Sequence, residues 1–187
     1  MGKWLSERTN TLAQKVSWRM VIIATMLFIV FIAFVLPRVS EYSATAIGVA
    51  ESPDTALIYT AQDLYELAES YGEAGRSTYI LLRWTFDVAW PLVYTFFMMT
   101  LTMQLAKSIR YRRWPQYLYL IVFWGMVFDF LENMGTTVVM ARYPLESGLI
   151  AELTPFFSLL KWGFIGAGFT TVFVLGIIVL SSKRTRA

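Results

Sequence analysis

Five ionisable side chains stand inside otherwise apolar stretches of this chain: Arg83 and Asp87, Asp129 and Glu132, and Lys161. An ionised group in hydrocarbon costs roughly 2.5–3.5 kcal/mol on insertion scales, so such residues are kept for structure or for chemistry. The residue types limit that chemistry. Carboxylates can take up a proton, hold a cation or a ligand amine, or act as general acid and base; lysine and arginine can neutralise them. Asn133 stands beside Glu132, and Tyr94 lies two helical turns beyond Asp87, so both join the candidate set. Histidine and cysteine are absent. That removes imidazole bases and ligands, thiolate nucleophiles and disulfides, and leaves oxygen as the donor for any metal. No catalytic residue, metal site or cofactor is assigned.

Spacing draws the candidates together. Arg83 and Asp87 are i,i+4 neighbours, and Asp129, Glu132 and Asn133 fall at i, i+3 and i+4, so each set shares one helix face. Counted at about 1.5 Å per residue from the outer ends of their segments, Arg83 lies about 6 Å deep, Asp87 about 12 Å and Lys161 about 10 Å. On the same rise Glu132 and Asn133 lie about 14–15 Å deep and Asp129 about 20 Å. Three polar faces at matching depth are expected to turn inward, since lipid offers them no partners. Pro91 cannot donate to the carbonyl of Asp87, which is freed at the same level with an expected kink. Two cations face three carboxylates, so full pairing is one positive charge short. A bound proton, a cation, a ligand amine or water-filled access would supply it.

The elements that must carry these residues are membrane helices. The chain has 187 residues, 57% of them hydrophobic and 17% aromatic; its mean hydropathy is +0.53. Such a composition is too apolar for an ordinary soluble domain. Apolar runs at 20–36, 79–106, 117–141 and 155–180 each match the roughly 20 residues of a membrane crossing, and only helices leave no backbone group unpaired there. The prediction is an all-α, four-helix membrane bundle forming one domain over 1–187.

Charge sets its orientation. Lys3, Arg8, Lys15 and Arg19 precede the first run; Lys107, Arg110, Arg112 and Arg113 separate the second and third; Lys183, Arg184 and Arg186 follow the fourth. The 37–77 stretch has two arginines and seven acids. Both termini are therefore expected on the cytoplasmic side, in a prokaryotic cytoplasmic membrane, with the acidic connections outside. Although Ala44-Thr45-Ala46 has a cleavage-site form, the 17-residue run before it and the intervening Pro37, Arg38 and Glu41 favour an uncleaved anchor. The outer loop at 37–78 is expected to carry a short amphipathic helix at about 61–72, opened by a capping box from Thr60 and Asp63.

Several other features have structural readings. Gly163, Gly166, Ala167 and Gly168 offer a small face for close helix packing. Trp4, Trp18, Trp114 and Tyr117 suit the interface. Trp84, Trp90, Trp124 and Trp162 either wall an apolar pocket or face lipid. The basic run 107–113 is a topology signal and an anionic-lipid contact, with no nucleic-acid role.

Tyr71-Gly72, Gly75-Arg76, Tyr79, Asp87, Pro91 and Tyr94, followed by Asp129, Glu132-Asn133, Tyr143-Pro144 and Lys161-Trp162, resemble the pattern of a set of uncharacterised prokaryotic four-span integral membrane proteins over about residues 60–165. That resemblance implies a shared site. The layout also looks like the four-helix EXPERA group, which implies cytoplasmic ends, a long first outer loop and a carboxylate-containing pocket within the membrane. The missing histidine departs from an isomerase.

Three functions follow for the set Arg83, Asp87, Tyr94, Asp129, Glu132, Asn133 and Lys161. First is a polar cavity in the outer half of the bilayer that binds or transports a small molecule, lipid headgroup or cation, with proton coupling. Second is an accessory subunit, or a homo-oligomer, in which the charges only fix helix packing. Third is an intramembrane enzyme that modifies lipids through its carboxylates.

Overall fold

The computed structural model describes residues 13–48, 52–53, 56–109 and 118–184. Lys3, Trp4, Arg8, Arg110, Arg112, Arg113, Trp114, Tyr117 and Arg186, named above for charge or for the interface, lie outside the described residues. Every element among those described is helical, and four stretches are long and apolar enough to cross a membrane: Trp18–Ile47, Ala61–Ser108, Leu118–Arg142 and Leu149–Ser182.

The first stretch is longer than its apolar run. Helix α1 (Trp18–Val30) starts at Ser17, whose hydroxyl accepts from the Met20 N–H. It passes through a π-helical turn at Phe31–Val35 into α2 (Leu36–Ile47), so residues placed in the outer loop are helical. The reason is local. Pro37 cannot donate to the carbonyl of Ala33 and its ring crowds it; the wider π turn takes up the misfit without ending the helix. The helix stops at Gly48, at φ 80°, a left-handed conformation that glycine adopts without Cβ strain.

The second stretch is helix α3 (Ala61–Arg83) followed by α4 (Phe86–Ser108). Thr60 caps α3 reciprocally: its hydroxyl accepts from the Asp63 N–H at 3.2 Å, and the Asp63 carboxylate accepts from the Thr60 N–H at 2.7 Å. The short helix expected at 61–72 does not end there. Gly72, at φ 61° and ψ −179°, kinks it in a conformation open to glycine, and the helix resumes to Arg83. The 79–106 segment is broken at Trp84–Thr85, where the Thr85 hydroxyl donates to the freed Leu81 carbonyl at 2.7 Å. The kink expected at Pro91 is thus displaced to this break, and Pro91 lies buried inside α4.

Helices α5 (Leu118–Arg142) and α6 (Leu149–Arg184) form the closest pair. They run antiparallel because a short connection joins them, with Phe128 stacked on Phe164 (5.6 Å) and Phe157 (6.3 Å). Helix α1 packs on α4, where Phe28 stacks on Phe97 at 4.4 Å and on Trp90 at 5.6 Å. At the far end Lys107 donates to the carbonyls of Gln14 and Val16, joining α4 to the segment before α1. Helix α3 lies over α5 and the α5–α6 connection. Arg76 rests on the Tyr143 ring at 4.9 Å, and the Ser147 N–H donates to the Tyr65 hydroxyl at 2.7 Å.

Candidate functional site

The break between α3 and α4 determines where the first ion pair sits. Arg83 ends α3 and Asp87 lies in the first turn of α4, each at the helix terminus whose dipole suits its charge. The guanidinium meets the carboxylate at 2.8 Å and lies 4.6 Å over the Tyr79 ring. Across the interface Asn133 of α5 serves both sides of the break. Its amide nitrogen donates to the Asp87 carbonyl at 3.1 Å, and its oxygen faces Arg83 at 3.4 Å. The acceptor that Pro91 leaves open on its own helix is therefore satisfied by the neighbouring one.

Next to Asn133 in sequence, Glu132 is fully buried between two donors. Lys161 of α6 pairs with one carboxylate oxygen, and the Tyr59 hydroxyl donates to the other at 2.8 Å. Lys161 is 4% exposed, so it does not reach outward to the surface as its long stem would permit. One turn deeper, Asp129 accepts from the Tyr94 hydroxyl at 3.0 Å. The layer thus joins α3, α4, α5 and α6 through two buried ion pairs and a set of directed hydrogen bonds. Among the described residues, no three carboxylates are arranged to hold a metal ion.

Beside this layer lies a cavity of about 620 Å³. Arg83, Asp87, Tyr94, Asp129 and Lys161 line its charged side; Glu132 and Asn133 do not line it and act from behind, holding Lys161 and the Asp87 backbone. The seven candidates therefore divide into five that face the cavity and two that support them. The rest of the wall is mostly apolar and aromatic, including Phe86, Trp90, Trp162 and Phe169. Of the four tryptophans within the spans, Trp90 and Trp162 wall the cavity, whereas Trp84 and Trp124 lie at the exterior, half exposed.

Two contributors were missed from the sequence. The first span was left out of the site, yet Phe28, Ile32, Leu36, Val39, Ser40, Ser43 and Ala44 form one continuous stripe along the cavity. Its three- and four-residue spacing was available in the sequence once the helix is carried past Pro37. Tyr59 gave less signal, being a single aromatic just before a helix cap. The small face on α6 is also reassigned. A Cβ added at Gly163 or Gly166 would meet nothing within 4 Å, so only Gly168 of that group packs, against Val122 and Met98. The glycines at the α5–α6 contact are therefore Gly168 on α6 and Gly125 and Gly135 on α5.

Comparison with protein-family models, with curated proteins and with solved structures finds no match.

Proposed function

We propose that this chain is an integral membrane protein of four crossings, with both termini cytoplasmic and α3 partly outside, that binds a small molecule in the cavity beside its charged layer. The observation that carries the reading is the cavity: about 620 Å³, within the range of roughly 300–1,000 Å³ typical of ligand pockets, with a few convergent charged groups on an apolar wall. A charge layer that only fixed helix packing would need no such space beside it. Four of the five intramembrane charges line this space. Orientation is supported by the basic flanks of the first and second spans and by the acids Asp63, Glu66, Glu69 and Glu73 on α3.

The ligand would sit against Asp87, Asp129, Arg83 and Lys161, with Tyr94 fixing Asp129. Glu132 and Asn133 would position these groups without touching it. The test is to purify the protein in nanodiscs, extract with organic solvent and identify small molecules by mass spectrometry. Wild type should carry one species in about equimolar amount. Ala44→Trp, which places a bulky ring in the cavity, should lower its recovery at least tenfold while the melting temperature stays within a few degrees. Wild type yielding no molecule, or equal recovery from both proteins, would reject the reading.

A further inference from the structure

We infer that the ligand is a membrane-dissolved amphiphile with a hydrogen-bond-donating head, reaching the charged wall sideways through the seam between α1–α2 and α6. The inference rests on the binding reading above and adds to it a route and a ligand class. The route comes from how the first span is packed. Helix α1 lies on α4 and α2 lies on α3, whereas α6 lies on α5 and on another side of α4. The cavity occupies the interval between these two groups, and Phe28 and Phe169 face one another across it at 6.4 Å.

Exposed apolar residues show where that interval opens. Ile32, Leu36 and Phe169 line the cavity at 46%, 37% and 43% exposure, and Leu57, on the connection before α3, extends the opening at its outer end. A residue that is both inner wall and outer surface marks a mouth. Ile32 and Leu36 belong to the first membrane-length stretch and Phe169 to the fourth, so this mouth faces acyl chains. A solute confined to water does not gather there; one with an apolar body does.

Length and charge then narrow the class. The stripe from Phe28 to Ala44 spans about 24 Å at helical rise, long enough to lie along an extended hydrocarbon chain. The layer holds two cations against three carboxylates, so its formal charge is −1. A carboxylate head would add a fourth negative charge, while a hydroxyl or ammonium head can donate to Asp87 or Asp129. The head therefore lies at these carboxylates and the chain leaves between Ile32 and Phe169.

The sequence contains no cysteine, which makes the test direct. Single-cysteine proteins Ile32→Cys, Glu69→Cys and Phe173→Cys, each coupled to a pyrene maleimide, would be titrated beside wild type with hexadecylamine, hexadecanol and hexadecanoic acid. Binding is read as 1:1 adducts by native mass spectrometry. The amine and the alcohol should bind wild type at least tenfold more tightly than the acid. The label at Ile32 should weaken that binding at least tenfold. Labels at Glu69, exposed on α3, and at Phe173, exposed on α6, are both off the cavity wall and should leave it within twofold. Equal binding of the acid overturns the head assignment, and binding at the Ile32 label within twofold of wild type, or an equal loss at Phe173, overturns the sideways route. If no amphiphile binds while solvent extraction still yields a bound molecule, the ligand class falls and the cavity reading stands. If both fail, both are wrong.

Discussion

Helix α6 meets α5 and the α1–α2 side of the molecule in opposite ways. Toward α5 it is separated by little more than backbone. A Cβ added at Gly135 would lie 2.1 Å from the Thr154 hydroxyl, and one at Gly125 would lie 3.3 Å from Ile165. Toward α1–α2 it presents Trp162, Ile165 and Phe169 across an open cavity. Between membrane helices there is no hydrophobic driving force, so close contact needs small residues that let backbones approach and polar groups that pair. The α5 seam has both, with Thr154, Ser158 and Lys161 buried along it. The α1–α2 seam has bulky aromatics that hold the helices apart. One helix thus makes a rigid joint with one face and the wall of a chamber with the other.

The strongest way to break that contrast is to strip the rigid seam of its charge pair. Glu132→Gln removes the partner of Lys161 while Lys161 stays buried, an uncompensated charge worth about 3–5 kcal/mol of destabilisation. Lys161→Met should cost a similar amount by stranding Glu132. The double variant should recover much of the loss, because neither charge is then left unpaired. Unfolding in a mixed-micelle denaturant titration measures all three. A double variant no more stable than either single would show that the pair does not act as a unit.

The next effect is steric and separates the two faces directly. Gly135→Ala forces a methyl into the Thr154 side chain, and the seam must open at a cost of about 1–3 kcal/mol. Gly163→Ala and Gly166→Ala meet nothing within 4 Å and should stay within about 0.5 kcal/mol of wild type. Thermal melting of the three variants decides it. Equal losses at positions 135 and 163 would mean that α6 packs through a different face.

These glycines also show where sequence reading stops. The charged residues were legible because an ionisable group in an apolar helix has few tolerable positions: helical rise put Asp87, Asn133, Glu132 and Lys161 near one depth, and spacing put them on shared faces. Thr154, Ser158 and Lys161 of α6 recur at i, i+4 and i+7 along its buried α5 face, but hydroxyls are common in apolar helices and give little signal, and the run at 163–168 looks more like a seam than Gly125 or Gly135. The first span was cut at Pro37 for a related reason. Proline and the charges Arg38 and Glu41 resemble the end of a membrane segment, and a π-helical turn that absorbs a proline leaves no pattern in composition. Tyr59 reaches Glu132 across 73 positions of sequence, a contact that only the folded connection creates.

The smallest effect tests how the cavity's charged edge is held. Asn133 donates to the Asp87 carbonyl that Pro91 leaves open, so the two residues are coupled through one acceptor. Asn133→Ala alone should cost about 1 kcal/mol, in line with the roughly 0.6–1.7 kcal/mol measured for side-chain hydrogen bonds between membrane helices. Pro91→Ala restores an N–H at position 91 that can satisfy the same carbonyl from within α4. In that background Asn133→Ala should cost less, by about 0.5 kcal/mol or more, giving a positive coupling in a double-mutant cycle. The cycle is read from denaturant midpoints of the four proteins. Strict additivity would mean that Asn133 stabilises the layer through Arg83, whose contact at 3.4 Å is the longer of its two, and that the Asp87 backbone contributes nothing to the joint between α4 and α5.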